Sequence, residues 1–181
     1  MILLKGKIKI IQPNHVSTAR FSVTALEKNI IYTIIDELQK TMSKDINQEY
    51  IEQEIYVEMK VIEKNRNYKQ IREAVKSLSS KHIEFDIVIP NTGKIQKNIT
   101  SLISGIKYEL NSRFISFMVP SSASMFFCYI GGGFTSFQKT IAISLNSIYS
   151  KLFYELCCRW SDKGGFSSSI EKLKTYLSIS H

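Results

Sequence analysis

Cysteine, histidine and proline are scarce in this sequence, and their scarcity excludes several classes of protein. The 181 residues include three of each. Three cysteines, of which Cys157 and Cys158 are adjacent, make a poor disulfide framework, and neither the cysteines nor the histidines show the spacing of a metal site. We therefore exclude a small disulfide-stapled secreted fold, and we expect the protein to bind no metal and no cofactor.

Long hydrophobic runs are also missing. No apolar run reaches the roughly 18 residues that a membrane span requires. In residues 1–11, lysines interrupt the apolar side chains and no cleavage-like segment follows, so this stretch predicts a β-strand rather than a signal peptide. We expect a cytoplasmic protein that has no membrane partner.

The sequence shows no catalytic constellation. The three glycines at 131–133 lack the following Lys-Ser/Thr of a phosphate-binding loop and predict a helix end. The serine-rich stretches contain no Gly-x-Ser-x-Gly motif. A replication nicking enzyme would need a His-hydrophobic-His metal pair, which the sequence does not contain. We therefore expect a protein that is not an enzyme.

Positive charge is what the sequence has in excess. Its 24 basic and 16 acidic residues give a net charge of +8, which favours polyanionic partners without identifying one. The excess is clustered, because residues 60–81 hold seven basic and two acidic side chains. The preceding residues 45–58 hold five carboxylates and no basic residue, so the charge changes sign along the chain.

Hydrophobic spacing predicts two helices and a strand in the first half of the chain. Residues 24–42 have apolar side chains in helical register, with Ser22 or Thr24 as the N-cap. Residues 50–62 alternate in the manner of a half-buried strand. A second helix is predicted over residues 67–78, with Asn67 at its start.

The second of these helices combines an apolar inner stripe with a basic outer face. The inner stripe consists of Tyr68, Ile71, Val75 and Leu78. Lys69, Arg72 and Lys76 lie at positions i, i+3 and i+7 of the outer face. These three side chains either contact DNA phosphates or form an ordinary solvated helix face. The helix precedes a predicted wing, and this position favours phosphate contact.

Three strands are predicted after that helix, over residues 81–90, 99–110 and 113–120. A turn signal, Pro-Asn-Thr-Gly, separates the first two strands, and Lys94 and Lys97 follow it. The two lysines belong either to a wing that contacts the DNA backbone or minor groove, or to a plain turn. A helix followed by a sheet meander with a basic turn is the layout of a winged helix.

The C-terminal quarter predicts a helix-turn-helix skeleton. Apolar side chains over residues 145–160 share one helical face, and Gly164 and Gly165 end that helix. Ser168 and Glu171 can form a capping box at the start of a short helix. The aromatic side chains of the first helix predict core packing, with base stacking as the alternative. These aromatic residues are Tyr149, Phe153, Tyr154 and Trp160.

The same quarter resembles plasmid replication initiators of the initiator Rep protein family. In that family a Phe-Thr-Ser/Arg-Tyr segment precedes a helix reading Ser-x-Tyr-x-x-x-Leu-Tyr-Glu-Leu-Leu. Residues 134–137 read Phe-Thr-Ser-Phe here, and residues 147–157 read Ser-Ile-Tyr-Ser-Lys-Leu-Phe-Tyr-Glu-Leu-Cys. The Ser-Ile-Glu-Lys-Leu-Lys at 169–174 is similar to the family's next helix. Residues 67–84 resemble its first recognition-type helix and the following strand.

The resemblance implies an α+β fold with two tandem winged-helix units. Residues 1–140 would form the first winged helix, which in the family mediates dimerisation and contacts the DNA backbone. Residues 144–181 would form only the first two helices of the second winged helix, the unit that reads origin repeats (iterons) in the major groove. The recognition helix of that unit would follow His181, so we expect a truncated form or a partial gene product.

The function implied by the resemblance is non-enzymatic initiation of plasmid DNA replication. Monomers would bind the iterons of the double-stranded origin and recruit host replication proteins, and a homodimer would repress the protein's own promoter. The alternative is a dimerisation or protein-interaction module without sequence-specific DNA binding. The candidate DNA contacts are Arg66, Lys69, Arg72, Lys76, Lys94, Lys97, Lys172 and Lys174.

Overall fold

The computed structural model describes the chain over residues 9–18, 22–41, 50–63, 67–88 and 92–177. Helices and strands are mixed along these residues. The first half contains β1 (Lys9–Pro13), α1 (Asn14–Thr18), α2 (Ala25–Thr41), β2 (Gln53–Glu58), α3 (Tyr68–Ser79) and β3 (His82–Val88). The second half contains β4 (Ile95–Ser101), β5 (Ser104–Lys107), β6 (Phe114–Val119), α4 (Ser121–Cys128), β7 (Phe134–Gln138), α5 (Lys139–Ser144), α6 (Ile148–Arg159) and α7 (Ile170–Tyr176).

Helix α2 is the central element of the fold. Its apolar side chains Ile30, Ile34 and Ile35 are fully buried, because α2 contacts α3, α4, α5, α6, β1 and β2. Thr24, one of the two predicted N-caps, starts the helix and forms a capping box with Glu27. The backbone N–H of Thr24 donates to Glu27 Oε2 at 2.6 Å, and the N–H of Glu27 donates to Thr24 Oγ1 at 3.2 Å.

The strands form three small antiparallel sheets instead of one meander. β1 pairs with β7, β2 and β5 both pair with β6, and β3 pairs with β4. The predicted single strand over residues 99–110 is wrong, because it is divided between β4 and β5 in two different sheets. Leu102 and Ile103 lie at the division and are fully buried, so the chain turns inward there.

The strand over residues 50–62 is shorter than predicted, and only part of the predicted N-terminal strand lies in the described residues. β1 spans Lys9–Pro13, and residues 1–8 of the predicted strand lie outside the described residues. β2 ends at Glu58, where a 3-10 turn over Met59–Val61 takes over. Met59 is fully buried and leaves the strand's alternation, which explains why the pattern alone overextends the strand.

The helix predicted at residues 67–78 is confirmed as α3. The side chain of Asn67 accepts from the N–H of Gln70 at 3.2 Å and caps the N-terminus. Ile71, Val75 and Leu78 are fully buried on the inner stripe. The β3–β4 hairpin follows directly, which gives the helix-then-wing order of a winged helix.

In the C-terminal quarter, two helices start at residues other than those predicted. The helix predicted from Leu145 begins at Ile148 instead, since Leu145 is the C-cap of the preceding helix α5. α7 is capped by Ser169, whose hydroxyl accepts from the N–H of Lys172 at 3.3 Å, and not by Ser168. Gly164 adopts the left-handed conformation (φ +75°) after α6, as a helix-ending glycine requires.

Candidate nucleic-acid interface

Two lysines form the exposed cationic part of α3. Lys69 and Lys76 are both exposed, on the side opposite the buried stripe. They lie two helical turns apart, about 10 Å along the axis at 1.5 Å rise per residue. The amphipathic pattern therefore leaves a stretch of helix surface that can approach a phosphate backbone.

Arg72 occupies the same face but is engaged within the protein. Its Nη2 donates to the carbonyl oxygen of Ser112 at 2.9 Å and of Glu109 at 3.4 Å. Its guanidinium carbon lies 4.8 Å from the ring centre of Tyr108. Arg72 thus ties α3 to the β5–β6 loop, a contact that sequence spacing did not reveal.

The β3–β4 hairpin places its lysines on an exposed surface. Lys94 follows Gly93, which adopts a positive φ of +65° in the turn, and residues 89–91 lie outside the described residues. Lys97 is 71% exposed, and its Nζ lies 3.7 Å from Glu84 Oε1, itself 61% exposed. Such an exposed pair is weak, so Lys97 can exchange its partner for a phosphate at little cost.

The remaining predicted contacts lie elsewhere. Lys172 is exposed and Lys174 is half-buried on α7, in a part of the fold distinct from α3. Arg66 lies outside the described residues. The structure therefore places the candidate residues on three surfaces: the outer face of α3, the hairpin, and α7.

The buried face of α6 holds two charged side chains beside Leu156, whereas an apolar stripe was predicted. Lys151 and Glu155 are 0% and 1% exposed, whereas Tyr149 and Phe153 are 47% and 44% exposed. The prediction that these two aromatic side chains belong to the core is wrong. Tyr154 does pack against the core, with its ring centre 6.0 Å from that of Phe137.

Glu155 is the centre of a buried hydrogen-bonded network. Its Oε1 accepts from the Tyr32 hydroxyl at 2.6 Å and pairs with Lys28 Nζ at 3.0 Å. Its Oε2 accepts from Gln12 Nε2 at 2.9 Å. Burial and the neighbouring Glu155 carboxylate raise the pKa of Tyr32 well above its ordinary value, so Tyr32 stays a hydrogen-bond donor.

Lys151 extends the network to α5. Its Nζ donates to Asn29 Oδ1 at 2.7 Å and to the carbonyl oxygen of Ala142 at 2.6 Å. Burial lowers the pKa of Lys151 to about 8. A second buried pair, Lys139 Nζ to Asp36 Oδ2 at 2.7 Å, ties the start of α5 to α2.

Sequence reasoning missed this network because its members look like surface residues. Helix α2 is enclosed on all sides, so its polar positions at 28, 29, 32 and 36 are buried along with its apolar ones. Each such polar group must find a partner, and the partners are 100 or more residues away in sequence. A single sequence shows no spacing that would connect them.

Neither a metal-binding cluster nor a membrane-spanning helix is found within the described ranges. No group of three or more His, Cys, Asp or Glu side chains is arranged to hold a metal ion within those ranges. No helix that the structure describes combines the length and apolarity needed to cross a bilayer. Burial raises the pKa of the Cys128 thiol to about 12, so this thiol stays protonated at neutral pH.

The chain is similar to known replication proteins. Residues 9–158 match the family model described as Initiator Replication protein, WH1. A solved structure, the MSBI1.176 WH1 domain of a replication protein isolated from a multiple sclerosis patient, shares 14% identity, with a TM-score of 0.41 over 62% of this chain and 87% of that one. No curated protein matches the chain. Because the family model covers most of the sequence, the chain belongs to the initiator replication protein family and carries its WH1 winged-helix domain.

Proposed function

We propose that the protein initiates plasmid DNA replication, without enzymatic activity, by binding double-stranded origin repeats. The observation that carries the proposal is the family match over residues 9–158, combined with the exposed cationic face of α3. Monomers bind the iterons and recruit host replication proteins, and homodimers repress the protein's own promoter. The binding is salt-sensitive, because lysines that contact phosphates release counterions.

The contacts to duplex DNA come mainly from α3 and the hairpin, with further contacts from α7. Lys69 and Lys76 contact phosphates from the outer face of α3, and Lys94 and Lys97 contact the backbone or minor groove from the wing. Arg66, which precedes α3 in the sequence, is a further proposed contact, and Lys172 and Lys174 add phosphate contacts from α7. Arg72 acts through its hydrogen bonds to the β5–β6 loop and reaches DNA only if it leaves them.

The domain division is part of the proposal. Residues 1–140 make up the first winged helix, and residues 144–181 make up the first two helices of a second one. The glycine turn at Gly164 between α6 and α7 supports a helix-turn-helix order in the second unit. The network around Glu155 then forms the contact between the two units.

An electrophoretic mobility shift experiment tests the proposal. Labelled duplexes with tandem iteron-like repeats taken from the protein's own plasmid are compared with random duplexes of equal length, across several salt concentrations. We expect the repeats to bind about a thousandfold more tightly or better, which is the lower end of the range of specific over non-specific binding. Equal and equally salt-sensitive affinity for both duplexes would contradict sequence-specific binding by this chain.

The second candidate function is a dimerisation or protein-interaction module. A stacked aromatic pair favours it: the rings of Tyr56 and Phe114 lie 5.1 Å apart, and Tyr56 is 67% exposed on β2. β2 is also the outer strand of its sheet in the described residues, so its free edge can pair with a second copy. Light scattering and the mobility shift together decide, because this function predicts a dimer without DNA that Tyr56→Ala weakens and equal affinity for repeat and random duplexes.

A further inference from the structure

The loop between β5 and β6 contains a tight turn that is bound to the flank of α3. Arg72 Nη2 donates to the carbonyl oxygens of Glu109 at 3.4 Å and Ser112 at 2.9 Å. The backbone N–H of Ser112 donates to the carbonyl oxygen of Glu109 at 3.1 Å, which closes a β-turn. Its two central residues are Leu110 and Asn111. One guanidinium group therefore holds both ends of this β5–β6 turn.

The β5–β6 turn borders the exposed lysines of α3. At about 100° per residue, Arg72 lies about 40° from Lys76 and about 60° from Lys69 around the helix axis. Along the axis, Arg72 lies between the two lysines, so the turn that it binds is beside the middle of the lysine face. A duplex that contacts both lysines therefore passes close to the turn.

The central side chains of the turn are both exposed. Leu110 is 82% exposed, the highest value among the large hydrophobic side chains that the structure describes, and Asn111 is exposed beside it. A single exposed leucine is ordinary on a protein surface. This leucine, however, lies on a turn whose backbone is fixed at both ends. The turn therefore presents an apolar group and an amide next to the lysine face, with little conformational entropy left to lose on binding.

The chemistry of the turn suits base edges better than phosphates. Leu110 and Asn111 carry no charge, and a phosphate would repel the exposed carboxylate of Glu109. In the major groove, an asparagine amide pairs with adenine, a carboxylate accepts from the amino group of cytosine, and an apolar side chain contacts the methyl group of thymine. Lysines that contact phosphates carry no such sequence information.

We propose that the β5–β6 turn reads base edges in the major groove beside α3, through Leu110 and Asn111. The proposal rests on the duplex binding proposed for α3 and adds a source of sequence preference to it. Arg72 is the positioning residue, because it fixes the turn through its two carbonyl hydrogen bonds. A contact of this kind changes the affinity for one sequence and leaves the number of phosphate contacts unchanged.

Affinities for repeat and random duplexes, measured by fluorescence anisotropy at several salt concentrations, test the turn. The full chain is compared with the double variant Leu110→Ser with Asn111→Ala. We expect its affinity for the plasmid's own repeats to fall at least about tenfold, the size of a lost base contact. Its affinity for random duplex and its salt slope should not change, because the α3 lysines that supply them are intact. Ile51→Ser with Asn146→Ala removes an exposed apolar group and an exposed amide elsewhere and should change neither affinity.

Substitution of Arg72 separates positioning from phosphate contact. Arg72→Gln should lower the affinity for repeats as the turn variant does and leave the salt slope unchanged, whereas a lost phosphate contact would lower the slope by about 0.9. In the background of the turn variant, Arg72→Gln should cost no further affinity, since Arg72 acts through the turn. An additional loss there, with a lower slope, would make Arg72 a phosphate contact and overturn its positioning role.

The remaining outcomes each exclude the reading of bases by the turn. A turn variant that keeps the full preference for repeats would overturn base reading and leave duplex binding by α3 intact. Equal losses for repeat and random duplexes would show that the turn supports binding in general. Unchanged DNA affinity with a dimer weakened in light scattering would assign the turn to self-association. Equal affinity of the unsubstituted chain for both duplexes would overturn the proposed function and base reading with it.

Discussion

Buried charges distinguish this molecule at the scale of single residues. Glu155 accepts three hydrogen bonds or ion pairs in a place with almost no solvent, and its partners Lys28 and Tyr32 are buried with it. A buried pair of this kind contributes little net stability, but removal of one partner leaves the other charge buried and uncompensated. Substitution at any of these few positions should therefore lower the free energy of unfolding strongly.

Glu155→Ala should therefore destabilise the protein by about 3–5 kcal/mol, because Lys28 would remain buried without a counter-charge. Urea unfolding followed by far-ultraviolet circular dichroism measures the change in free energy. Glu84→Ala is the matched control, since Glu84 forms only an exposed pair with Lys97 and should change stability by about 0–1 kcal/mol. Equally small losses of stability in both variants would contradict the conclusion that Glu155 neutralises a buried charge.

His15 should make stability depend on pH. Burial lowers the pKa of His15 below its ordinary 6.5, and the ring lies against Phe126, whose carbonyl oxygen contacts Nε2. A lowered pKa in the folded state means that the unfolded chain binds the proton more readily. The stability from neutral His15 is therefore complete above about pH 6.5 and is lost as the pH falls through the pKa of the folded state.

Replacement of His15 by glutamine should flatten this acid branch of the stability curve. Unfolding free energies measured from pH 5 to pH 8 (about the range in which an ordinary histidine titrates) compare His15→Gln with the unsubstituted chain. His82→Gln, at an exposed histidine on β3, controls for the removal of any histidine. If the unfolding free energy of His15→Gln depended on pH as it does in the unsubstituted chain, His15 would not contribute to the acid branch.

The helix caps operate at the scale of secondary-structure elements. The N-terminus of α7 is capped by Ser169 and not by the adjacent Ser168, whose hydroxyl contacts the carbonyl oxygen of Ser169. Ser169→Ala should cost about 1 kcal/mol of local stability, the typical value of a lost N-cap. Amide hydrogen exchange of α7 measures this loss of local stability, and Ser168→Ala is the control that should leave exchange unchanged. Faster exchange in Ser168→Ala than in Ser169→Ala would instead support the predicted capping box of Ser168.

The elements that the sequence predicts well are those that local patterns specify. The apolar periodicity of α2 and α3 and the caps at Thr24 and Asn67 need only neighbouring residues, and all four are confirmed. The inserted helix α5 and the division between β4 and β5 were missed, because they depend on what the chain packs against. Pairing of β1 with β7 joins segments more than 120 residues apart, which no local pattern specifies.

The candidate site could be predicted only in part, for the same reason. Spacing along α3 places Lys69 and Lys76 outward, because a helix face follows directly from sequence. It also placed Arg72 there, but the nearby β5–β6 loop engages that side chain. The assignment of Tyr149 and Phe153 to the core failed since their face of α6 contacts no other element strongly enough to bury them.

At the scale of the whole molecule, α6 should be needed to hold α2 in place. A chain that ends at residue 144 leaves Lys28, Tyr32 and Asn29 without their partners on α6. We expect it to lose about 3 kcal/mol or more relative to a chain that ends at residue 163, by the cost of an unpaired buried charge. Thermal unfolding measures the difference, and equal midpoints would mean that the first unit ends before α6.

The central claim is that the chain binds duplex DNA through the outer face of α3, and the salt dependence of binding tests it most directly. Fluorescence anisotropy with a labelled duplex gives the affinity across a range of salt concentrations. Lys69→Gln with Lys76→Gln should reduce the slope of log affinity against log salt by about two, at roughly 0.9 per lost phosphate contact. The double substitution Lys60→Gln with Lys107→Gln, on exposed lysines outside α3 and the hairpin, should leave the slope unchanged. An unchanged slope in the α3 variant would contradict the account.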